Sequence, residues 1–345
     1  MRRHAMPRRR HTWAKTLERN FLTLSRLAAP SVTAAFSPPA RTRARAVPGD
    51  GAWIAGVSMG MAGMRRFRLF RPSGMAAGER LPLMVMLHGC GQDAESFAIA
   101  TRMNQLAARE RFLVLYPEQD RMANQQRCWN WFDTRNGRAF GEVDLVLNAI
   151  DQACLLHGGD REQVAVAGLS AGASLAALLA TRHPARVRAV VMHSGVPPGS
   201  ADSTMGALRA MRGSVNEGIE APVQAAAAWP PLLVIHGSSD RIVDTRNALA
   251  AVQGWAQAAG ARPGTGRKVQ RGKRYPMTVT DYKAARSRTV ARLVEITGLG
   301  HAWSGGSRVT HSDPSGPDAS RLAWAFAADQ FARQEAMRSA GRKAA

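Results

Sequence analysis

From residue 50 onward, two hydrophobic rhythms take turns along the chain. Trp53 to Arg71 reads as strand, and Arg66, Phe67, Arg68, Leu69 and Phe70 largely alternate polar with apolar, as an edge hairpin would. Leu81 to Leu87 is a nearly unbroken apolar run, the pattern of a strand buried on both faces. A helical segment over Ser96 to Arg109 follows, then a strand over Phe112 to Tyr116 that Pro117 stops. The spacing of Val143, Val146, Leu147, Ile150 and Cys154 predicts a helix from Glu142 to Leu156. Gln163 to Ala167 is a short buried strand leading into an Ala/Leu-rich helix that ends near His183-Pro184, and Val187 to Met192 is a further strand. Residues 195–229 are weakly patterned and read as an insertion near the site. Leu232 to Ile235 is a strand, Arg246 to Ala259 a helix, and residues 260–276 a basic, Gly-rich surface loop. Arg292 to Ile296 is the last strand and Arg321 to Arg333 the last helix. Strands alternating with helices imply a mostly parallel central sheet with helices on both faces, whose ligands sit at the carboxyl ends of the strands.

The chemistry-bearing residues fall at those ends. Gly168-Leu169-Ser170-Ala171-Gly172 is a G-x-S-x-G between strand and helix. A sharp turn there lifts the serine oxygen clear of the sheet, where it can act as a nucleophile. The pattern alone is weak, and its strand-and-helix context strengthens it. Gly300-His301-Ala302-Trp303 follows the last strand, so His301 is the candidate general base. His236-Gly237-Ser238-Ser239-Asp240 follows the strand before it, so Asp240 is the candidate acid that orients the histidine. Asp244 is the nearby competitor, placed to cap the next helix, and Asp133, Asp144 and Asp281 are worse placed. The order Ser, Asp, His is the one the α/β-hydrolase fold uses. His88-Gly89-Cys90-Gly91 ends the Leu81–Leu87 strand, and the backbone N–H groups of Cys90 and Ala171 are the candidate oxyanion donors. His88 and His236 read as hydrogen-bonded structural residues, His193 as a floor of the site, and His183 as a helix C-cap. Trp129, Asn130 and Trp131, together with Trp303, are candidate substrate-binding residues in loops; the competing reading is that these aromatics cover the core.

Composition adds less. The chain has 345 residues, 45% of them apolar, enough for one large α/β domain. No apolar run approaches the ~18 residues of a transmembrane segment. Charge is uneven: the net is +22, and residues 1–45 carry eleven Lys/Arg against Glu18 alone. Residues 1–49 therefore read as a basic, disordered tail ending in a Pro-rich linker, residues 50–335 as the catalytic domain, and residues 336–345 as a basic C-terminal tail. The N-terminal tail suits an anionic surface, while it lacks the interleaved aromatics and fold signatures of a specific nucleic-acid binder. Phe21 to Ala29 is interrupted by Thr23, Ser25 and Arg26, closer to a short amphipathic helix than to the apolar core of a signal peptide. Three cysteines, Cys90, Cys128 and Cys154, do not make a disulfide scaffold. One bridge, Cys90 to Cys128, is open, and Cys154 reads as core. Neither a phosphate-binding nor a dinucleotide loop is present, and no metal-ligand spacing occurs, so no cofactor is expected.

Over roughly residues 50–335 the chain resembles the poly(3-hydroxybutyrate) depolymerase family of esterases, related to feruloyl and acetylxylan esterases. The resemblance rests on Leu87-His88-Gly89-Cys90-Gly91-Gln92, Tyr116-Pro117, Cys128-Trp129-Asn130-Trp131-Phe132, Gly168 to Gly172, His236 to Asp240, Gly300-His301-Ala302-Trp303-Ser304-Gly305-Gly306 and Asp313 to Ser320. It implies a Ser–Asp–His esterase acting on 3-hydroxyalkanoate polyesters, their oligomers or aryl esters. Members are often secreted, and the chain departs from them in lacking a clear signal peptide and a separate polymer-binding domain. Soluble short-chain esters or oligomers are thus the expected substrates. A serine peptidase on the same fold, and a non-catalytic binder held to an anionic surface or granule by the basic tail, are the competing readings.

Overall fold

Leu83, Val85 and Leu87 face one side of their strand, Met84 and Met86 the other, and all five are fully buried. That is why the segment reads as an unbroken apolar run. The computed structural model describes residues 47, 49–214 and 229–344. The expected basic tail over 1–46, with the Phe21–Ala29 segment, and residues 215–228 of the expected insertion lie outside the described residues.

The hairpin is present: β1 (Gly51–Gly60) and β2 (Gly63–Pro72) pair antiparallel at one margin of the sheet. Then come β3 (Leu81–Leu87), α1 (Ala94–Thr101), α2 (Met103–Glu110), β4 (Leu113–Pro117), α3 (Arg138–Leu156), β5 (Gly159–Leu169) and α4 (Ala171–Arg182). The second half holds β6 (Ala189–His193), α5 (Thr204–Met211), β7 (Leu232–Gly237), α6 (Arg246–Ala258), β8 (Arg262–Pro263), β9 (Arg267–Val269), β10 (Met277–Lys283) and β11 (Thr289–Ile296). Two-residue strands β12 (Trp303–Ser304) and β13 (Ser312–Asp313) precede α7 (Ala319–Ala344). The main sheet runs β1-β2-β4-β3-β5-β6-β7-β11-β10-β8, with β9 also paired to β10. Strands β4, β3, β5, β6, β7 and β11 are parallel, flanked by antiparallel β2 and β10. Helices α3, α4 and α6 cover one face through Val143, Val146, Ile150, Leu175, Leu179, Val252 and Trp255. Helices α1, α2 and α7 cover the other through Phe97, Met103, Leu106, Ala323 and Phe326.

Several elements differ from the sequence reading. The helix over Ser96–Arg109 is two helices, broken where Arg102 adopts φ +55°. Strand β5 begins at Gly159 rather than Gln163, because Gly159 pairs with Leu81 ahead of a register irregularity. The loop expected over residues 260–276 holds β8 and β9, because β10, which follows it at 277–283, extends the sheet beyond β11 and recruits both. Helix α7 continues through residues 336–344, expected to be tail. No helix among the described residues is long and apolar enough to cross a membrane.

Two glycines fix the turn from β5 into α4. A Cβ on Gly168 would lie 2.3 Å from the Gly172 carbonyl, and one on Gly172 would lie 2.2 Å from the Leu87 carbonyl oxygen and 2.5 Å from that of His88. These contacts are backbone to backbone, so no side chain can move aside. Gly172→Ala is accordingly expected to destabilise the fold by about 3 kcal/mol, the upper part of the usual overpacking cost. Urea denaturation of the variant beside wild type measures it, and an unchanged midpoint would contradict this close packing.

Candidate active site

Ser170 occupies the turn that the two glycines permit, with φ +55° and ψ −122°. Such a backbone is strained for a residue with a side chain, and it is the conformation of a nucleophile elbow. The Ser170 amide donates to the His193 carbonyl (2.9 Å), which ties the elbow to the end of β6. Ala171 is the first residue of α4, so its N–H has no intrahelical acceptor and is free at the helix N-terminus.

Asp240 and His301 come from adjacent loops. Parallel pairing of β7 with β11 sets Gly237 beside Ile296. A Cβ on Gly237 would lie 2.2 Å from the Leu299 carbonyl oxygen, so only glycine lets the two loops close on each other. The Ser239 amide donates to Leu299 O (3.0 Å), and the Gly298 amide donates to Ser238 Oγ (3.0 Å). Asp240, its side chain fully buried, accepts from His301 Nδ1 through Oδ2 (2.7 Å). Its Oδ1 accepts from the Ile242 and Val243 amides (2.9 Å each). Burial alone pushes the Asp240 carboxyl up, but His301 and the two amides outweigh it and hold the group below its ordinary value. The Nδ1 bond fixes the tautomer of His301 and leaves Nε2 available as a base. Asp244 instead caps the start of α6, accepting from the Arg246 amide (2.9 Å), and does not meet His301.

His193 links the two halves. Its Nε2 accepts from the Ser304 amide (3.2 Å), three residues past His301, while its carbonyl holds the Ser170 amide. It is buried beneath the site, stacked on Trp303. His236 donates from Nε2 to Val243 O (2.9 Å) and braces the Asp240 loop. His183 sits at the C-cap of α4.

On the other side, Cys90 is joined to Cys128 by a disulfide, and Cys154 is a free buried thiol. His88 donates from Nδ1 to Gly89 O (2.8 Å) and accepts the Gln119 amide at Nε2 (3.0 Å). The Gly89 amide donates to Gln92 Oε1 (3.0 Å), and the Gly91 amide to Gln126 O (2.8 Å). No protein acceptor takes the Cys90 amide among the described residues.

The expected substrate-binding set needs correction. Trp129 and Trp303 are fully buried, and Asn130 is nearly so. Trp129 Nε1 donates to the His88 carbonyl (3.0 Å), and Trp303 Nε1 donates to Ser320 Oγ (3.1 Å). Asn130 spends its polar atoms inside the protein, on Glu142 and Asn124. These three side chains are scaffold, because each polar tip found an internal partner and drew the ring or amide into the core. Trp131 keeps a small exposed edge against half-buried Phe132.

Sequence reasoning missed Glu142. Read as the mere start of a helix, it lies a full turn inside α3, one turn before Val146 and two before Ile150, so it falls on the buried stripe. An acid on that stripe was the available signal. Its Oε1 accepts from Gln119 Nε2 (2.6 Å) and Asn130 Nδ2 (2.7 Å), and its Oε2 from the Asn130 amide (2.8 Å), with Arg65 3.5 Å away. Burial pushes its carboxyl up, against the pull of these donors. No three His, Cys, Asp or Glu side chains among the described residues gather to hold a metal ion.

Residues 65–272 match the family model described as esterase, PHB depolymerase. Over 248 residues the chain is 30% identical to poly(3-hydroxyalkanoate) depolymerase C of Paucimonas lemoignei, covering 67% of this chain and 56% of that protein. Over 201 residues it is 28% identical to feruloyl esterase B of Thermothelomyces thermophilus, covering 52% of this chain and 66% of that one. The chain thus spans little more than half of the depolymerase and just under two thirds of the feruloyl esterase. Among solved structures, the acetyl xylan esterase from Aspergillus awamori superposes with a TM-score of 0.60 at 20% identity, over 73% of this chain and 94% of that one. A putative dienelactone hydrolase from Klebsiella pneumoniae gives 0.50 at 16%, over 81% and 99%. Together with the parallel sheet, these likenesses establish the α/β-hydrolase fold.

The two bridging histidines generate a pH prediction. Burial lowers His88 from 6.5 to about 4 and His193 to about 3, so both are neutral in the native protein at mild acidity. Unfolded, each takes up a proton below 6.5. Between the two values the unfolded state binds more protons, so stability rises with pH there and is lost as pH falls. Acidifying from pH 6.5 to pH 5 is expected to cost about 1.5 kcal/mol for each histidine. Urea midpoints across that interval check it, and a flat profile would refute the neutral, buried assignment.

Proposed function

This chain belongs to the PHB depolymerase esterase family, and from that premise we propose that it hydrolyses carboxylic esters through an acyl-enzyme on Ser170. The hydrogen bond between His301 Nδ1 and Asp240 Oδ2 (2.7 Å) carries the reading. It joins a base to an orienting acid, and the strained elbow supplies the serine that the reading requires.

In this mechanism Ser170 Oγ attacks the ester carbonyl carbon, and its proton passes to His301 Nε2. The amides of Cys90 and Ala171 receive the developing oxyanion. Collapse of the tetrahedral intermediate breaks the bond to the alcohol oxygen, which leaves with the proton from His301. Water then attacks the acyl-enzyme while His301 takes its proton, and collapse returns that proton to Ser170 and releases the carboxylic acid. Asp240 stays ionised throughout and stabilises the imidazolium. Its depressed carboxyl suits that role. Trp131 and Phe132 offer an apolar edge beside the Cys90–Cys128 loop for an acyl chain or ring.

The substrate class is an ester of a short 3-hydroxyalkanoate, as an oligomer of the polyester, or a short-chain or aryl ester. The similarity to a polyhydroxyalkanoate depolymerase and a feruloyl esterase supports that range.

The test is hydrolysis of p-nitrophenyl butyrate and of a soluble 3-hydroxybutyrate oligomer. Ser170→Ala is expected to lose turnover on both by about 10⁶-fold. Asp240→Asn is expected to lose about 10⁴-fold through the wrong histidine tautomer. Full activity in Ser170→Ala would end the serine-esterase reading, and activity on the aryl ester alone would move the substrate away from the polyester.

A further inference from the structure

The stretch 88–92 follows β3, carries the Cys90 amide and touches the elbow through the His88 carbonyl, which lies against Gly172. It is fastened to the loop 119–130 at four points. His88 Nε2 accepts the Gln119 amide (3.0 Å). The His88 carbonyl accepts Trp129 Nε1 (3.0 Å). The Gly91 amide donates to Gln126 O (2.8 Å). The fourth point is covalent, Cys90 to Cys128.

That loop is in turn fastened to one side chain. Glu142 accepts both the backbone and side-chain N–H groups of Asn130 and the side-chain Nε2 of Gln119. The same Gln119 Nε2 donates to the Cys128 carbonyl (3.0 Å), one residue before Trp129. Asn130 passes the constraint on: its Oδ1 accepts Asn124 Nδ2 (3.0 Å), and Asn124 Oδ1 accepts the amides of Gln126 (3.0 Å) and Cys128 (3.3 Å). The ties through Gln119, Gln126 and Cys128 therefore lead back by hydrogen bonds to the Glu142 carboxylate, while Arg127 holds the loop to Asp93 separately (2.8 Å).

Building on the esterase reading, we infer that Glu142 is a positioning residue of the oxyanion hole, setting the Cys90 amide through Asn130, Gln119 and Cys128. It touches no reacting atom. The carboxylate is specific for the task because it accepts at both oxygens and donates at neither. Glutamine keeps the shape but has one oxygen. Wherever its NH₂ points, it opposes an N–H of Asn130, or those of Asn130 and Gln119 together. The loop must then shift, and the Cys90 amide shifts with it. Orientation errors well below an ångström weaken an oxyanion donor, whose full loss costs ~10²–10³ in turnover.

The experiment compares wild type with Glu142→Gln on p-nitrophenyl butyrate. It adds inhibition by an alkyl trifluoromethyl ketone, whose serine adduct carries an oxyanion, and hydrogen exchange of the peptide spanning residues 88–92. The expected result is kcat down about 10- to 100-fold with KM little changed, inhibitor affinity down in step with kcat, and faster exchange at 88–92. A merely structural glutamate would lower the unfolding midpoint but leave kcat per titrated active site, and inhibitor affinity, at wild-type values; that outcome overturns the inference. If Glu142→Gln does not fold, Gln119→Ala carries the same readouts with a smaller expected loss. If wild type itself hydrolyses no ester and binds no inhibitor, the esterase reading fails separately. Exchange at 88–92 then decides the positioning claim alone, and unchanged exchange overturns it.

Discussion

The contact between the first turn of α4 and the end of β3 governs the rest of the site. Gly172 lies against the Leu87 and His88 carbonyls so closely that no side chain fits, and Gly168 lies as closely against Gly172. One backbone crossing thereby places two things at once. It forces Ser170 into its strained turn, and it sets the Ala171 amide beside the stretch that carries Cys90. Strain of this kind, of order 1–3 kcal/mol, persists only where neighbours over-determine it. Here the β5–β6 and β3–β5 ladders hold the strand on both sides up to Leu169 and Gly168.

Around that crossing the loops are tied by neutral histidines. His88 and His193 each use one ring nitrogen as donor and the other as acceptor. A neutral imidazole is suited to a buried link because it supplies one of each. Burial makes the arrangement self-consistent, since it disfavours the charged ring that would set a second N–H against the Gln119 or Ser304 amide. His301 differs in having its second nitrogen uncommitted. The contrast separates His301 from the two bracing histidines more clearly than exposure does.

The sequence was most legible where one backbone rule acts alone. Ser170, Asp240 and His301 each follow a buried apolar strand and a glycine, so strand-end logic put all three at one edge of the sheet without knowledge of packing. It failed where tertiary partners decide. Arg102 breaks a helix with no glycine or proline to mark the place. Met277 to Lys283 forms a strand although Asp281 blurs its alternation, because β11 offers a free edge and Arg292 pairs with that acid. Trp129 and Trp303 look in sequence like loop aromatics facing a ligand, yet each indole N–H meets an acceptor inside. Whether such a ring lines a groove or floors it depends on that partner, which lies 41 residues away for Trp129 and 17 for Trp303.

Glu142 shows why a buried charge can be retained where an apolar residue would pack. Replacing a buried ion pair with well-fitted hydrophobic side chains is often neutral or stabilising, because the desolvation cost vanishes with the charges. That trade is closed here. One donor to Glu142 is the backbone amide of Asn130, which no substitution short of proline removes. Strip away the carboxylate, and that backbone amide, with one N–H of each of the Gln119 and Asn130 side chains, loses its buried acceptor, at about 1–3 kcal/mol for each unmet group. Arg65 would also lose its counter-charge while remaining nearly buried. The loop that fixes Cys90 has polar backbone at its root, so an anion is the economical way to satisfy it. The site's rigidity and its buried charge thus share one origin.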